Sequence, residues 1–141
     1  MDYNLFIIEN SELLYDEVSG LNYFSKTLPK ISENRELRSP QIAAYERTKK
    51  YFDSAELSPE AGLPAALITV PTGVGKSGII AMVPFAIATK AVLVIAPNNT
   101  IHDTVAAALD SGSKSFLVGK KVVPFENRPR VFNVRECIGI L

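Results

Sequence analysis

The residues with the plainest chemical purpose are Pro71-Thr72-Gly73-Val74-Gly75-Lys76-Ser77. A nucleotide triphosphate crowds many negative oxygens into a small volume, and a loop that wraps them needs backbone N–H groups converging from several sides. Gly73 and Gly75 permit this, because glycine tolerates positive φ and has no Cβ to hold the phosphates away. Lys76 follows as the cation for the β- and γ-phosphates, and Ser77 as the hydroxyl for Mg²⁺. Gly78 completes the candidate cradle, and the start of a following helix adds its dipole. Lys76 is also the candidate catalytic residue, since phosphoryl transfer depends mainly on positioning and charge stabilisation. The pattern G-x-x-x-x-G-K-S/T is met except at its first position, where Val70 stands.

Such a loop requires a strand before it and a helix after it. Residues 65–70 form a short uninterrupted apolar run, which predicts a parallel strand covered on both faces. Residues 76–88 predict a buried helix kinked at Pro84, and residues 91–96 a second buried strand. Asn99 or Thr100 is the expected cap of a further helix running to Leu109. Upstream, Ser39-Pro40 reads as the start of a helix over 40–53, with serine as cap and proline in the first turn. Strand, loop, helix repeated twice implies a parallel sheet with right-handed crossovers, so the fold class expected is α/β. The ligand edge then lies beyond the carboxyl ends of the strands. Elsewhere the pattern is weaker. Leu13, Leu14, Val18 and Leu21 fit one face of a short helix, and 116–123 and 131–134 fit strands.

At 141 residues the chain matches one domain. A single cysteine, Cys137, and a single histidine, His102, exclude a disulfide framework and a histidine–cysteine metal site. The start has no basic region before an apolar run, and no apolar stretch is long enough to span a bilayer. These features predict a soluble, cytoplasmic protein. Net charge is zero, yet residues 1–60 carry 7 basic and 11 acidic side chains, and nothing acidic lies between Glu60 and Asp103. Buried strands and helices account for most of that gap.

Residues 70–77 resemble motif I of the superfamily two helicases of the DEAD/DEAH type. Leu37-Arg38-Ser39-Pro40-Gln41-Ile42-Ala43-Ala44 is similar to the Leu-Arg-x-x-Gln-x-x-Ala segment that precedes motif I in helicases like the type III restriction subunit. Residues 91–97 are similar to motif Ia, a strand closing in proline. The resemblance covers roughly residues 37–105. It implies the first RecA-like lobe of a P-loop NTPase, a parallel sheet flanked by helices, with residues 1–36 as an extension of unclear role and 37–141 as the helicase part. It further implies ATP and Mg²⁺ as cofactors and Gln41 as the reader of adenine, since an amide donates and accepts together. Pro97, Asn98, Asn99 and Thr100 become candidates for the nucleic-acid backbone, although family members often continue with a basic or small polar residue and a leucine where this chain has Asn98-Asn99-Thr100-Ile101. DNA, or RNA, is the implied partner, together with a second RecA-like lobe and restriction or defence-system subunits, with no membrane.

Hydrolysis in that family also needs Asp-Glu-x-His/Asp at the end of a later strand, and none follows Lys76. Asp110, after an alanine run of helical propensity, is a poor imitation, and Asp16-Glu17 precedes the loop. The expectation is therefore an incomplete lobe, an N-terminal fragment truncated before that carboxylate and inactive alone. Two alternatives stay open: a P-loop kinase or other phosphotransferase, and a nucleotide-binding module without turnover. Blander readings cover the remaining candidates. His102 is expected on the surface or beside a cap, Cys137 in packing, and Lys49-Lys50, Lys120-Lys121, Arg128 and Arg130 on solvated faces.

Overall fold

The computed structural model describes residues 4–9, 23–54, 64–88, 92–109, 112 and 114–133. In chain order these form strand β1 (Asn4–Glu9), helices α1 (Tyr23–Lys26), α2 (Ser39–Ser54), α3 (Lys76–Met82) and α4 (Pro84–Ile87), and strand β2 (Val92–Ala96). Helices α5 (Asn99–Leu109) and α6 (Phe116–Gly119), a 3₁₀ turn (Phe125–Asn127) and strand β3 (Arg130–Asn133) follow. The helix expected over Leu13 to Leu21, Asp16-Glu17, Asp110 and Cys137 lie outside the described residues.

The sheet corrects the expected topology. Its order is β2-β1-β3, and both pairings are antiparallel, with Asn4 opposite Ala96 and Ile8 opposite Val92 on one side and Phe6 opposite Asn133 on the other. No parallel pair occurs among the described residues. Residues 65–70 form no strand. A strand exists only through a ladder partner, and none of the three strands pairs with this segment, so Leu67 stands 93% exposed. β2 also departs from the expectation of two covered faces. Val92 and Val94 pack against the core while Leu93 and Ile95 are more than half exposed, which is the one-faced alternation of an antiparallel sheet.

The helices follow their local chemistry more closely. α2 begins one residue before the expected start, and its cap is built by Arg38 and Gln41 rather than by Ser39. The Arg38 carbonyl accepts from Gln41 N–H at 2.9 Å, and Gln41 Oε1 accepts from Arg38 N–H at 3.0 Å. This is the return half of a capping box, with the amide side chain reaching back from the third helical position. Val83 divides α3 from α4, so that Pro84 opens the second segment and its missing N–H breaks no ladder there. α5 is capped by Asn98, not by Asn99 or Thr100, its Oδ1 accepting from Ile101 N–H at 2.9 Å. Residues 116–123 are not a strand. Ser115 caps α6, and beyond it Lys121 at φ 56° turns the chain, so that the Val122 and Val123 N–H groups both return to the Leu117 carbonyl.

The core lies between the sheet face carrying Val92, Val94 and Val131 and the helices. Met82, Leu109, Leu117 and Val122 are among its largest fully buried side chains, and a Leu- or Met-sized group contributes about 1.5–3 kcal/mol when buried. Tyr23, Phe24 and Phe85 pack edge-to-face with centroids 4.9–5.9 Å apart. The Tyr23 hydroxyl donates to the Asn127 carbonyl at 2.7 Å. Lys30 N–H reaches the Val122 carbonyl, and Asn34 Nδ2 donates to the Lys30 and Lys120 carbonyls. These bonds tie the segment before α2 to the turn after α6. No helix of the described residues is long and apolar enough to cross a membrane.

Candidate functional site

The loop carrying Pro71 to Ser77 runs from the unpaired segment 65–70 into α3. Gly73 and Gly75 both take positive φ, 84° and 91°, a region that costs other L-residues about 1–2 kcal/mol. Gly75 is the N-cap of α3, with its carbonyl accepting from Gly78 and Ile79 N–H at 3.1 and 3.4 Å, and no side chain caps that helix. Pro71, Thr72, Gly73 and Lys76 are exposed, Val74, Gly75 and Ser77 half-buried, and Gly78 buried. A methyl group at Gly73 would meet nothing within 4 Å. The glycines thus set up a loop open on its Gly73 side, with a cation and a hydroxyl in sequence at its exit, a donor set that fits an oligophosphate and its counter-ion.

The inner side of the loop is closed by α2. Gln41, only 4% exposed, donates from Nε2 to the Gly75 carbonyl at 3.1 Å while its Oε1 caps its own helix. Both ends of this amide therefore have protein partners, an arrangement the sequence does not predict for a reader of adenine. One helical turn earlier Arg38, itself exposed, donates from a guanidinium nitrogen to the Gly73 carbonyl. A Cβ at Gly78 would fall on the ring of Phe116, and 2.9 Å from Gln41 Nε2. Arg38 and Phe116 are the residues that sequence reasoning passed over. Arg38 was accessible through its i, i+3 spacing to Gln41 on one helix face. Phe116 gave no such signal, because it arrives from a helix 38 positions beyond Gly78.

The other candidates stand apart from this arrangement. Pro97, Asn98, Asn99 and Thr100 are exposed at the junction of β2 and α5; Asn98 Oδ1 serves the helix cap. His102 is buried rather than on the surface, but it does stand beside the α5 cap, its N–H donating to the Asn98 carbonyl at 2.9 Å, with Nδ1 2.8 Å from the exposed Asp103 carboxylate. Lys121 pairs with Glu36 at 3.3 Å, and the Arg128 guanidinium lies 3.7 Å over the Phe125 ring, so these two charges have local partners. Lys49 pairs with Asp53 one turn on; that hydrogen bond raises its pKa. Burial pushes the Tyr45 phenol up. Between 68–70, α3 and β2 opens an apolar cleft of about 460 Å³, with Lys76 at its lining and Leu93 and Ile95 on its far wall.

The family model of the type III restriction enzyme res subunit matches residues 34–127. The chain belongs to this family. No curated protein and no solved structure matches it. The res-subunit match begins just before the Arg38 and Gln41 turn, passes through the glycine loop, β2 and α5, and ends after α6. Membership makes this a helicase-like domain and implies a P-loop NTPase fold. β1 and β3, the partners that make the sheet antiparallel, both lie outside the matched segment.

Proposed function

We propose that the loop from Pro71 to Ser77 binds the phosphates of ATP with Mg²⁺, as the ATP-binding element of a nucleic-acid-dependent helicase or translocase. The observation that carries this reading is the pair of left-handed glycines, Gly73 and Gly75, delivering Lys76 and Ser77 at the start of α3 within a res-subunit family segment. When bound, ATP with Mg²⁺ would supply the β–γ phosphoanhydride bond whose hydrolysis, in a chain carrying both lobes, would drive motion along DNA or RNA. The loop backbone holds phosphate oxygens, Lys76 neutralises their charge, and Ser77 offers its hydroxyl to the metal. Gln41 stands beside the loop, and residues 97–100 are the proposed nucleic-acid contacts, through backbone and amide donors.

The 141 residues contain no Asp-Glu pair after the loop, so binding without turnover is the expected behaviour of this chain. Calorimetric titration of ATP with Mg²⁺ into the chain and into Lys76→Ala tests the reading. Lys76 is exposed, so the variant keeps its fold, and affinity should fall at least about tenfold, the loss of a charge-assisted contact. Equal affinities, or no binding by the unaltered chain, would remove the assignment. DNA-stimulated ATPase activity in a longer chain that carries both lobes would extend it to a motor.

A further inference from the structure

We propose that Arg38 and Gln41 form a two-point clamp that holds the glycine loop in its anion-binding shape, with Gln41 acting there as a positioning residue. The proposal rests on the phosphate reading above. Arg38 fastens the Gly73 carbonyl and Gln41 the Gly75 carbonyl, so the loop's two glycines with positive φ are each gripped from the start of α2. In a planar trans peptide the carbonyl and the next N–H point in opposite directions. Holding the Gly73 carbonyl toward Arg38 therefore turns the Val74 N–H away from α2. Holding the Gly75 carbonyl toward Gln41 and the first turn of α3 does the same for the Lys76 N–H.

Glycine makes such anchoring necessary. It has the largest conformational entropy to lose of any residue, and Gly73 has open space around it. Without side-chain grips the loop would sample orientations in which its N–H groups diverge. The grip is also rigidly mounted: Gln41 Oε1 is held by the Arg38 N–H, Gln41 is buried, and the Phe116 ring closes over the neighbouring Gly78. A single helical turn thus carries both contacts, and each stabilises the other's starting point.

The experiment compares the unaltered chain with Arg38→Ala and Gln41→Glu in two measurements. Glutamate at 41 can still accept from the Arg38 N–H and keep the α2 cap, but it cannot donate to the Gly75 carbonyl, which separates the clamp from mere helix capping. Hydrogen exchange over residues 72–77 without ligand should be faster in both variants, with α2 still protected. Calorimetry with inorganic tripolyphosphate and with ATP, both with Mg²⁺, should show Arg38→Ala weakening the two about equally, near tenfold for the loss of one charged hydrogen bond. A third variant, Gln41→Ala, should likewise weaken the base-free ligand and ATP together. Unchanged exchange in both variants would overturn the clamp, and so would a Gln41→Ala chain that loses ATP while binding tripolyphosphate normally. An unaltered chain that binds neither ligand, yet shows the exchange difference, would remove the phosphate reading and leave the clamp standing.

Discussion

Gln41 Nε2 donates to the Gly75 carbonyl at 3.1 Å, across 34 residues of sequence, and a methyl group on Gly75 would lie 2.5 Å from that same nitrogen. The close approach of the amide and the φ of 91° both demand glycine there. Gly75→Ala should destabilise the chain by about 1–3 kcal/mol, combining left-handed strain with displacement of a buried amide. Urea unfolding measures it, and a loss below about half a kcal/mol, the ordinary scatter of surface substitutions, would show that the amide yields freely.

Gly78 carries a second steric demand of a different kind. Its φ is ordinary, so the constraint is steric: the Phe116 ring first, at 2.4 Å, and Gln41 Nε2 behind it, at 2.9 Å. Gly78→Ala should cost about 1–3 kcal/mol, as overpacking does, even though alanine is the better helix former. Adding Phe116→Leu should recover part of that loss. A double-mutant cycle reads the coupling, and strict additivity would show that the ring does not press on Gly78.

The fold was legible where local chemistry decides and obscure where partners decide. α2, α3, the Pro84 break, β2 and α5 all follow from proline and apolar runs, while the caps of α2 and α5 fall on residues other than those expected. The sheet does not, because the same apolar run serves a parallel or an antiparallel strand, and only the neighbour distinguishes them. For β2 that neighbour is β1, whose residues 4–9 gave no strand signal strong enough to be singled out. Residues 65–70 have strand composition without a ladder partner, so composition alone misleads there. At the candidate site, Gly73, Gly75 and Lys76 were readable from spacing. The grip of Arg38 on Gly73 was not, since a carbonyl's direction leaves no mark in sequence.

Asn98 stands between two roles. Its Oδ1 caps α5, which is worth about 1 kcal/mol, while its proposed contact with nucleic acid would use the side-chain amide hydrogens. Asn98→Asp preserves the acceptor and removes those donors. Thermal unfolding should show Asn98→Ala destabilised and Asn98→Asp close to the parent. If the residue also meets a phosphate backbone, Asn98→Asp should weaken DNA binding more than Asn98→Ala does, because a carboxylate repels what an alanine merely fails to hold.

Tyr23 links stability to alkaline pH. Its phenol is buried against Phe24 and Phe85 and donates to the Asn127 carbonyl at 2.7 Å. Burial drives its pKa well above the ordinary 10.0, with a hydrogen bond to Thr27 as a smaller opposing influence. The folded chain therefore retains a proton that the unfolded chain gives up first. Below about pH 10 both states are protonated and the group adds no pH dependence; above it the unfolded state ionises, and stability falls by up to about 1.4 kcal/mol per pH unit until the folded phenol also titrates. Tyr23→Phe removes that slope and costs about 1 kcal/mol at neutral pH, since the Asn127 carbonyl sits in an exposed residue where water can replace the lost donor. Urea unfolding at about pH 8 and about pH 10.5, which bracket the unfolded phenol, should show the parent losing more stability than Tyr23→Phe over that interval. Tyr45, also raised by burial, contributes equally to both chains and cancels in the comparison, so equal losses would mean that the Tyr23 phenol ionises in the folded chain as readily as in water.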